Sequence, residues 1–278
     1  MDRRPANRPE RDATAPRWAA SVPLYDALAP TYDEHFAVPH RRAYDDLAWE
    51  LVQPLLPDAP ARIVDVGCGI GRWARRLVGL GHSVVGIEQA PGMAAVAREL
   101  VASGSFELLE LPMEEAELPA RQADLVLAMG SLQYAVDPEQ MLRRLGRWVR
   151  PGGWVVVLVD SLVALVLELL AAGKEDEALL RLETRRATWV QGSLRADYHL
   201  FDSHRLERAF EDAGLVDICV RGLLVGWSAL GRERMLRRLA HSRDRQMAAE
   251  RRLTGSRPLA EVGKQLYVSG RVPPGAGT

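Results

Sequence analysis

The chain has 278 residues, 47% of them apolar, which is enough to bury the core of one large domain. Its 36 Lys and Arg face 37 Asp and Glu, so a net charge of −1 excludes a general field drawing it to nucleic acid or an anionic membrane, and only a local basic patch stays open. Two cysteines, Cys68 and Cys219, exclude a disulfide scaffold and fit a reducing, cytoplasmic setting; no metal-ligand spacing is present, and no stretch approaches the ~20 apolar residues of a membrane span.

Residues 1–20 are rich in Arg and Pro, lack the apolar segment of a signal peptide and are expected to form a disordered tail. The remainder, 21–278, reads as a single domain. A helical prelude covers 21–56, with Leu47, Leu51, Val52, Leu55 and Leu56 at helical spacing, and Pro57 and Pro60 end it. From there strands and helices alternate. Strand 61–66 leads to helix 72–80, strand 83–88 to helix 91–103, and strand 105–111 to a loop. Strand 123–129 leads to helix 138–149, and strand 153–159 follows. Apolar strands rich in Val and Leu, each followed by a helix, predict a parallel sheet covered on both faces.

The stretch 161–200 is expected to be a mostly helical insertion. Helix 203–213, capped by Asp202 or Ser203, and strand 215–221 come next. A connection over 222–262 carries a charged helix around 231–252, and a last strand spans Gln265 to Val272.

The most informative stretch is Val64-Asp65-Val66-Gly67-Cys68-Gly69-Ile70-Gly71. A β-branched run breaks into a Gly-x-Gly-x-Gly turn and a helix follows at once. Glycine permits the sharp turn and lets a ligand approach the backbone, and the free N–H groups of the helix start attract polar or anionic groups. The next strand ends in Glu88, where a carboxylate can accept both hydroxyls of a ribose. Arg150-Pro151-Gly152-Gly153 opens the strand after helix 138–149. A nicotinamide site needs Gly-x-Gly-x-x-Gly, and Arg stands at position 72 instead.

On these residues the chain resembles the class I S-adenosylmethionine-dependent methyltransferases, best over Tyr25 to Gly153. The segment Tyr25-Asp26-Ala27-Leu28-Ala29-Pro30-Thr31-Tyr32-Asp33 is similar to the opening of family members that act on small molecules. The resemblance implies a Rossmann-like, doubly wound α/β sheet of seven strands with the last antiparallel. It also implies helical caps at about 21–56, 161–200 and 222–262, and S-adenosyl-L-methionine as cofactor. It places Gly67, Cys68, Gly69, Gly71, Glu88 and Gln89 at the cofactor. Asp65 either holds the glycine loop or approaches the cofactor's amino group. Met113 and Glu114 would meet the adenine and Met129 the methionine part, while Tyr32 and Arg42, or Arg41, would take its carboxylate. Gln133 and Tyr134 follow the fourth strand near the reacting methyl.

In the insertion, Trp189, Arg195, Tyr198, His199 and His204 are candidate acceptor-site residues. A hydroxyl acceptor would want a base such as His199 or His204, whereas a carboxylate acceptor would want a cation such as Arg185, Arg186 or Arg195. The expected reaction is in-line methyl transfer to an O or N atom of a small-molecule acceptor, by a monomer or homodimer with no membrane partner. Two alternatives stand beside it. One is a tRNA wobble-uridine carboxylate methyltransferase, suggested by the Leu253–Lys264 ending and the arginines Arg232, Arg234, Arg237, Arg238, Arg243 and Arg245. The other is a non-catalytic cofactor-binding regulator.

Overall fold

A computed structural model describes residues 20–58, 60–102 and 104–275. The expected tail thus lies, up to residue 19, outside the described residues. The prelude is helical: α1 (Val22–Leu28), α2 (Tyr32–Ala37) and α3 (Pro39–Val52), with short 3₁₀ turns between and after them. The core alternates β1 (Arg62–Val66), α4 (Arg72–Gly79), β2 (Ser83–Ile87), α5 (Pro91–Leu100), β3 (Phe106–Leu109), β4 (Ala123–Met129), α6 (Pro138–Trp148) and β5 (Val149–Asp160).

These strands, with β8 (Val216–Leu223) and β9 (Gln265–Arg271), form one seven-stranded sheet in the order β3-β2-β1-β4-β5-β9-β8. The first five run parallel, and β9 is inserted antiparallel to both β5 and β8. Val155 to Val159 are at most 4% exposed, as expected of a strand with both faces covered. Strand order reverses about β1 and β4, so a crevice opens beyond their carboxyl ends, directly over the glycine turn. The helix starts are set by local chemistry. Asp137 accepts from Gln140 N–H at 2.8 Å ahead of α6. Asp202, not Ser203, caps α9 (Ser203–Asp212) by accepting from Arg205 N–H at 2.7 Å.

Two expectations are corrected. The insertion is only half helical: α7 (Leu162–Ala171) and α8 (Glu175–Thr184) are followed by an antiparallel hairpin, β6 (Arg186–Gln191) and β7 (Leu194–His199). Gly192, with φ +59°, turns the chain between them, and Thr188 Oγ1 donates to Asp197 across the pair at 2.7 Å. The charged helix is also two helices, α11 (Arg232–His241) and α12 (Arg243–Thr254), which follow the short α10 (Gly226–Leu230) and break at Ser242. No helix among the described residues is long and apolar enough to cross a membrane.

Candidate active site

The chain leaves β1 through Gly67 and Gly69, both left-handed, with φ of +66° and +57°. A Cβ at Gly67 would sit 2.4 Å from the Ser131 Cβ, so packing alone forbids a side chain there. Around Gly69 a Cβ would meet nothing within 4 Å, because that position faces the open cleft. The cleft, open to solvent, spans about 580 Å³ of unfilled space, solvent at its mouth included, between the glycine turn, the ends of β2 and β4, and α1.

Of the residues expected at a cofactor, Tyr32, Gly67, Gly69 and Glu88 line this cleft. Gln89, Met113, Met129 and Tyr134 line it too. Six lining residues were not singled out from sequence: Ser21, Tyr25, Ile87, Leu111, Gly130 and Ser131. Tyr25 stood within the recognised opening segment. Gly130 (φ +89°) and Ser131 carried a weaker signal, a small-residue step at the end of a core strand.

Glu88 is buried at the tip of β2 and accepts from Gly69 N–H at 2.9 Å and Ala90 N–H at 2.8 Å. Burial pushes its carboxyl up, and those N–H groups hold it back. Beside it, Gln89 Nε2 donates to Ser21 Oγ at 3.1 Å, while Gln89 Oε1 is buried without a partner. Asp26 Oδ1 accepts from Gly92 N–H at 2.8 Å, which pins α1 onto the start of α5. Leu24 and Leu28 of α1 share one apolar cluster with Ile70, Met93 and Ala196 of the hairpin. Tyr25 stands edge-on to Trp189 at 5.7 Å and to Tyr134 at 5.5 Å. The cleft is therefore roofed by two separate pieces of chain.

Other expected residues are placed differently. Asp65 is 2% exposed and lies behind the loop. Burial, then the Glu88 charge, drives its carboxyl up to about 7, and the Ala74 backbone N–H in the first turn of α4 pulls the other way. Asp65 does not line the cleft. Cys68 is buried against β2, so that a Cβ at Gly86 would meet its Sγ at 2.9 Å. Gly71 ends the loop as the left-handed N-cap of α4, packed on α5.

Glu114 turns away from the cleft: its Oε1 accepts from Val136 N–H at 3.0 Å, closing the loop before α6. Arg42 is exposed. One position earlier, Arg41 lies 5.7 Å from the Phe36 ring; burial raises the phenol pKa of Tyr32 and Tyr44, and the Arg41 charge opposes that rise. A single helical step, about 100°, separates the two orientations.

The two histidines proposed as bases are elsewhere. His199 Nε2 lies 2.9 Å from Arg186 Nη1 on the paired strand, so its acceptor nitrogen is already engaged. Burial, then Arg186 and Arg205, lower its pKa to about 4, far from that of a base poised near neutrality. His204 is exposed on α9. Neither lines the cleft.

These features fit S-adenosylmethionine: an open backbone at Gly69, a buried carboxylate at the second strand, and an orphaned amide oxygen beside it. The family described as Methyltransferase domain matches residues 38–220, more than half of the chain. The chain belongs to that family, and its sheet has the Rossmann-like class I methyltransferase fold.

Among its relatives, the tRNA U34 carboxymethyltransferase of Saccharophagus degradans is 34% identical over 143 residues, 49% of this chain and 41% of that protein. The ubiquinone biosynthesis O-methyltransferase of Bordetella avium is 34% identical over 117 residues, 41% and 48% of the two chains. The trans-aconitate 2-methyltransferase of Methylobacterium nodulans is 36% identical over 101 residues, 36% and 38%. The chain spans about half the length, or less, of these curated relatives. In fold it is similar to phosphoethanolamine N-methyltransferase 2 of Haemonchus contortus, with a TM-score of 0.61 at 17% identity, covering 92% of this chain and 59% of that one.

Proposed function

We propose that the protein methylates a small molecule held beneath α1 and the β6–β7 hairpin. The aromatic-walled cleft carries this reading: Tyr25, Tyr32 and Tyr134 line it, and Trp189 and Tyr198 of the hairpin stand ring against Tyr25 and Tyr134. In our reading Glu88 accepts the ribose hydroxyls, Gln89 adds its free amide oxygen, and Met113 packs on the adenine. Tyr32 and Arg41 face the carboxylate, and Met129 with Gly130 backs the methionine chain. When bound, the cofactor supplies an electrophilic methyl on a sulfonium sulfur, so the protein needs to supply position and dryness rather than a covalent intermediate. Two of the relatives bear the names of small-molecule methyltransferases.

The tRNA reading is less well supported. Among the arginines of the charged helices, Arg243 pairs with Asp46 at 2.5 Å and Arg237 with Glu233 within its own helix. Nearby, Arg251 pairs with Glu50 at 2.7 Å. Two of these three thus fasten α12 to α3 instead of standing ready for phosphates. The test is incubation with methyl-labelled S-adenosylmethionine and a size-fractionated cell extract. Label in the low-mass pool is expected. Label in tRNA, released by nuclease and by mild base, would replace this reading with the wobble-uridine one.

A further inference from the structure

Asp160, the last residue of β5, is tied to Gln133, the sequence neighbour of the cleft residue Tyr134. Asp160 N–H donates to Gln133 Oε1 at 2.8 Å, which fixes the two residues side by side. Each carboxylate oxygen then has one long amide contact: Gln133 Nε2 to Oδ2 and Gln265 Nε2 to Oδ1, both at 3.5 Å. Contacts of that length contribute little, and a carboxylate has room for about four donors. Among the described residues no Lys, Arg or His forms an ion pair with Asp160. Lys264 is engaged with Glu168 at 3.6 Å and over the Trp227 ring at 4.8 Å, and Arg181 with Glu177 at 3.0 Å. Gln265 Oε1 is buried and has no partner.

Aromatic rings surround this polar point. Tyr134 and Tyr198 lie 5.7 Å apart, and the Asp160 charge adds to burial in raising the phenol pKa of Tyr44, Tyr134 and Tyr198, so its field reaches all three. An under-used carboxylate, an orphaned amide oxygen and a wall of π faces match a group that is cationic and rich in N–H donors. A carboxylate acceptor would meet like charge there. A neutral hydroxyl has one donor, which leaves most of this acceptor capacity unfilled.

Resting on the proposed small-molecule activity, we infer that the acceptor is an amine, seated as its ammonium ion between Asp160, Gln265 Oε1 and the rings of Tyr134 and Tyr198. An ammonium nitrogen has no lone pair. One N–H proton therefore passes to an Asp160 oxygen, and the freed pair forms the N–C bond as the methyl's bond to sulfur breaks, its electrons staying on sulfur. The proton then leaves Asp160 for water, and charge and atoms balance with one proton released per methyl transferred.

The experiment titrates protein loaded with S-adenosylhomocysteine, reading tyrosine and tryptophan fluorescence. The probes are 2-phenylethylammonium and its neutral and anionic counterparts, 2-phenylethanol and 3-phenylpropanoate. The ammonium is expected to bind at least about tenfold more tightly than either. Asp160→Asn is expected to bring the three within about twofold while S-adenosylhomocysteine binds as in the wild type. Tyr198→Leu, which keeps the carboxylate, is expected to weaken the ammonium alone by a few-fold. Equal or anion-favouring binding, no binding of any probe, or a preference that survives Asp160→Asn overturns the inference. If Asp160→Asn instead reduces affinity for S-adenosylmethionine but not S-adenosylhomocysteine and leaves the probes unchanged, the carboxylate serves the sulfonium and the inference fails. Label in the low-mass pool without an ammonium preference leaves the small-molecule reading standing and removes only the amine.

Discussion

Glu88 and Asp65 are both buried carboxylates near the glycine turn, but they have different surroundings. Glu88 faces the cleft and already accepts two backbone N–H groups. Glu88→Ala is expected to lower S-adenosylhomocysteine affinity about 10- to 100-fold, the worth of charge-assisted hydrogen bonds, as read by calorimetry. Asp65 has one oxygen without a partner and a carboxyl raised from 3.8 to about 7. The sign follows from proton counting. Between these values the unfolded chain has released its proton while the folded one retains it, so stability present below pH 3.8 is lost as pH rises toward 7. Asp65→Asn removes that loss, and its melting temperature relative to wild type is expected to climb from pH 4 to pH 7; a constant difference would refute it. At this scale the sequence was legible where backbone geometry dictated the residue, as at Gly67, Gly69 and Glu88. It was not legible where the outcome depended on which way a side chain turned. Arg41 and Arg42 differ by one helical step, and Glu114 was claimed by an amide 22 residues away. His199 was claimed by a strand partner, Arg186, that no linear pattern announces.

Elements meet through a few shared charges. Asp45 of α3 is 5% exposed and receives Arg72 at 3.1 Å and Arg76 at 3.3 Å, both from α4. It joins the prelude to the first helix of the core. Asp45→Ala leaves two guanidinium groups facing each other, and because both are partly exposed the cost is expected at about 1–3 kcal/mol in chemical denaturation. A change below a few tenths would show that solvent already screens the cluster. The β6–β7 hairpin shows why one element was misread. Its strands alternate and flank Gly192-Ser193, a valid turn signal, but they follow two helical runs within one insertion. The charged segment posed the reverse problem: continuous helical composition hid a break at Ser242, which separates α11, packed on α3, from α12, whose Arg243 and Arg251 reach Asp46 and Glu50 of α3.

At the scale of the molecule the parallel sheet covered by helices was the most legible feature, while its strand order was not read from the sequence. Alternating strand and helix, with right-handed crossovers, leaves few ways to arrange five parallel strands. The antiparallel β9 came from family resemblance and not from the pattern of its own residues. The roof of the cleft was less legible, because its parts lie far apart in sequence and become one surface only when folded. Leu24 and Leu28 touch the same cluster as Ala196, Leu194 and Trp189. α1 and the hairpin pack on each other through this cluster, so neither half of the roof is held alone. On the proposed function, acceptor choice and cofactor residence are then coupled traits. A hairpin substitution that admits a bulkier acceptor is expected to loosen α1 as well, so a lineage that changed its substrate would change its product-release rate in the same step.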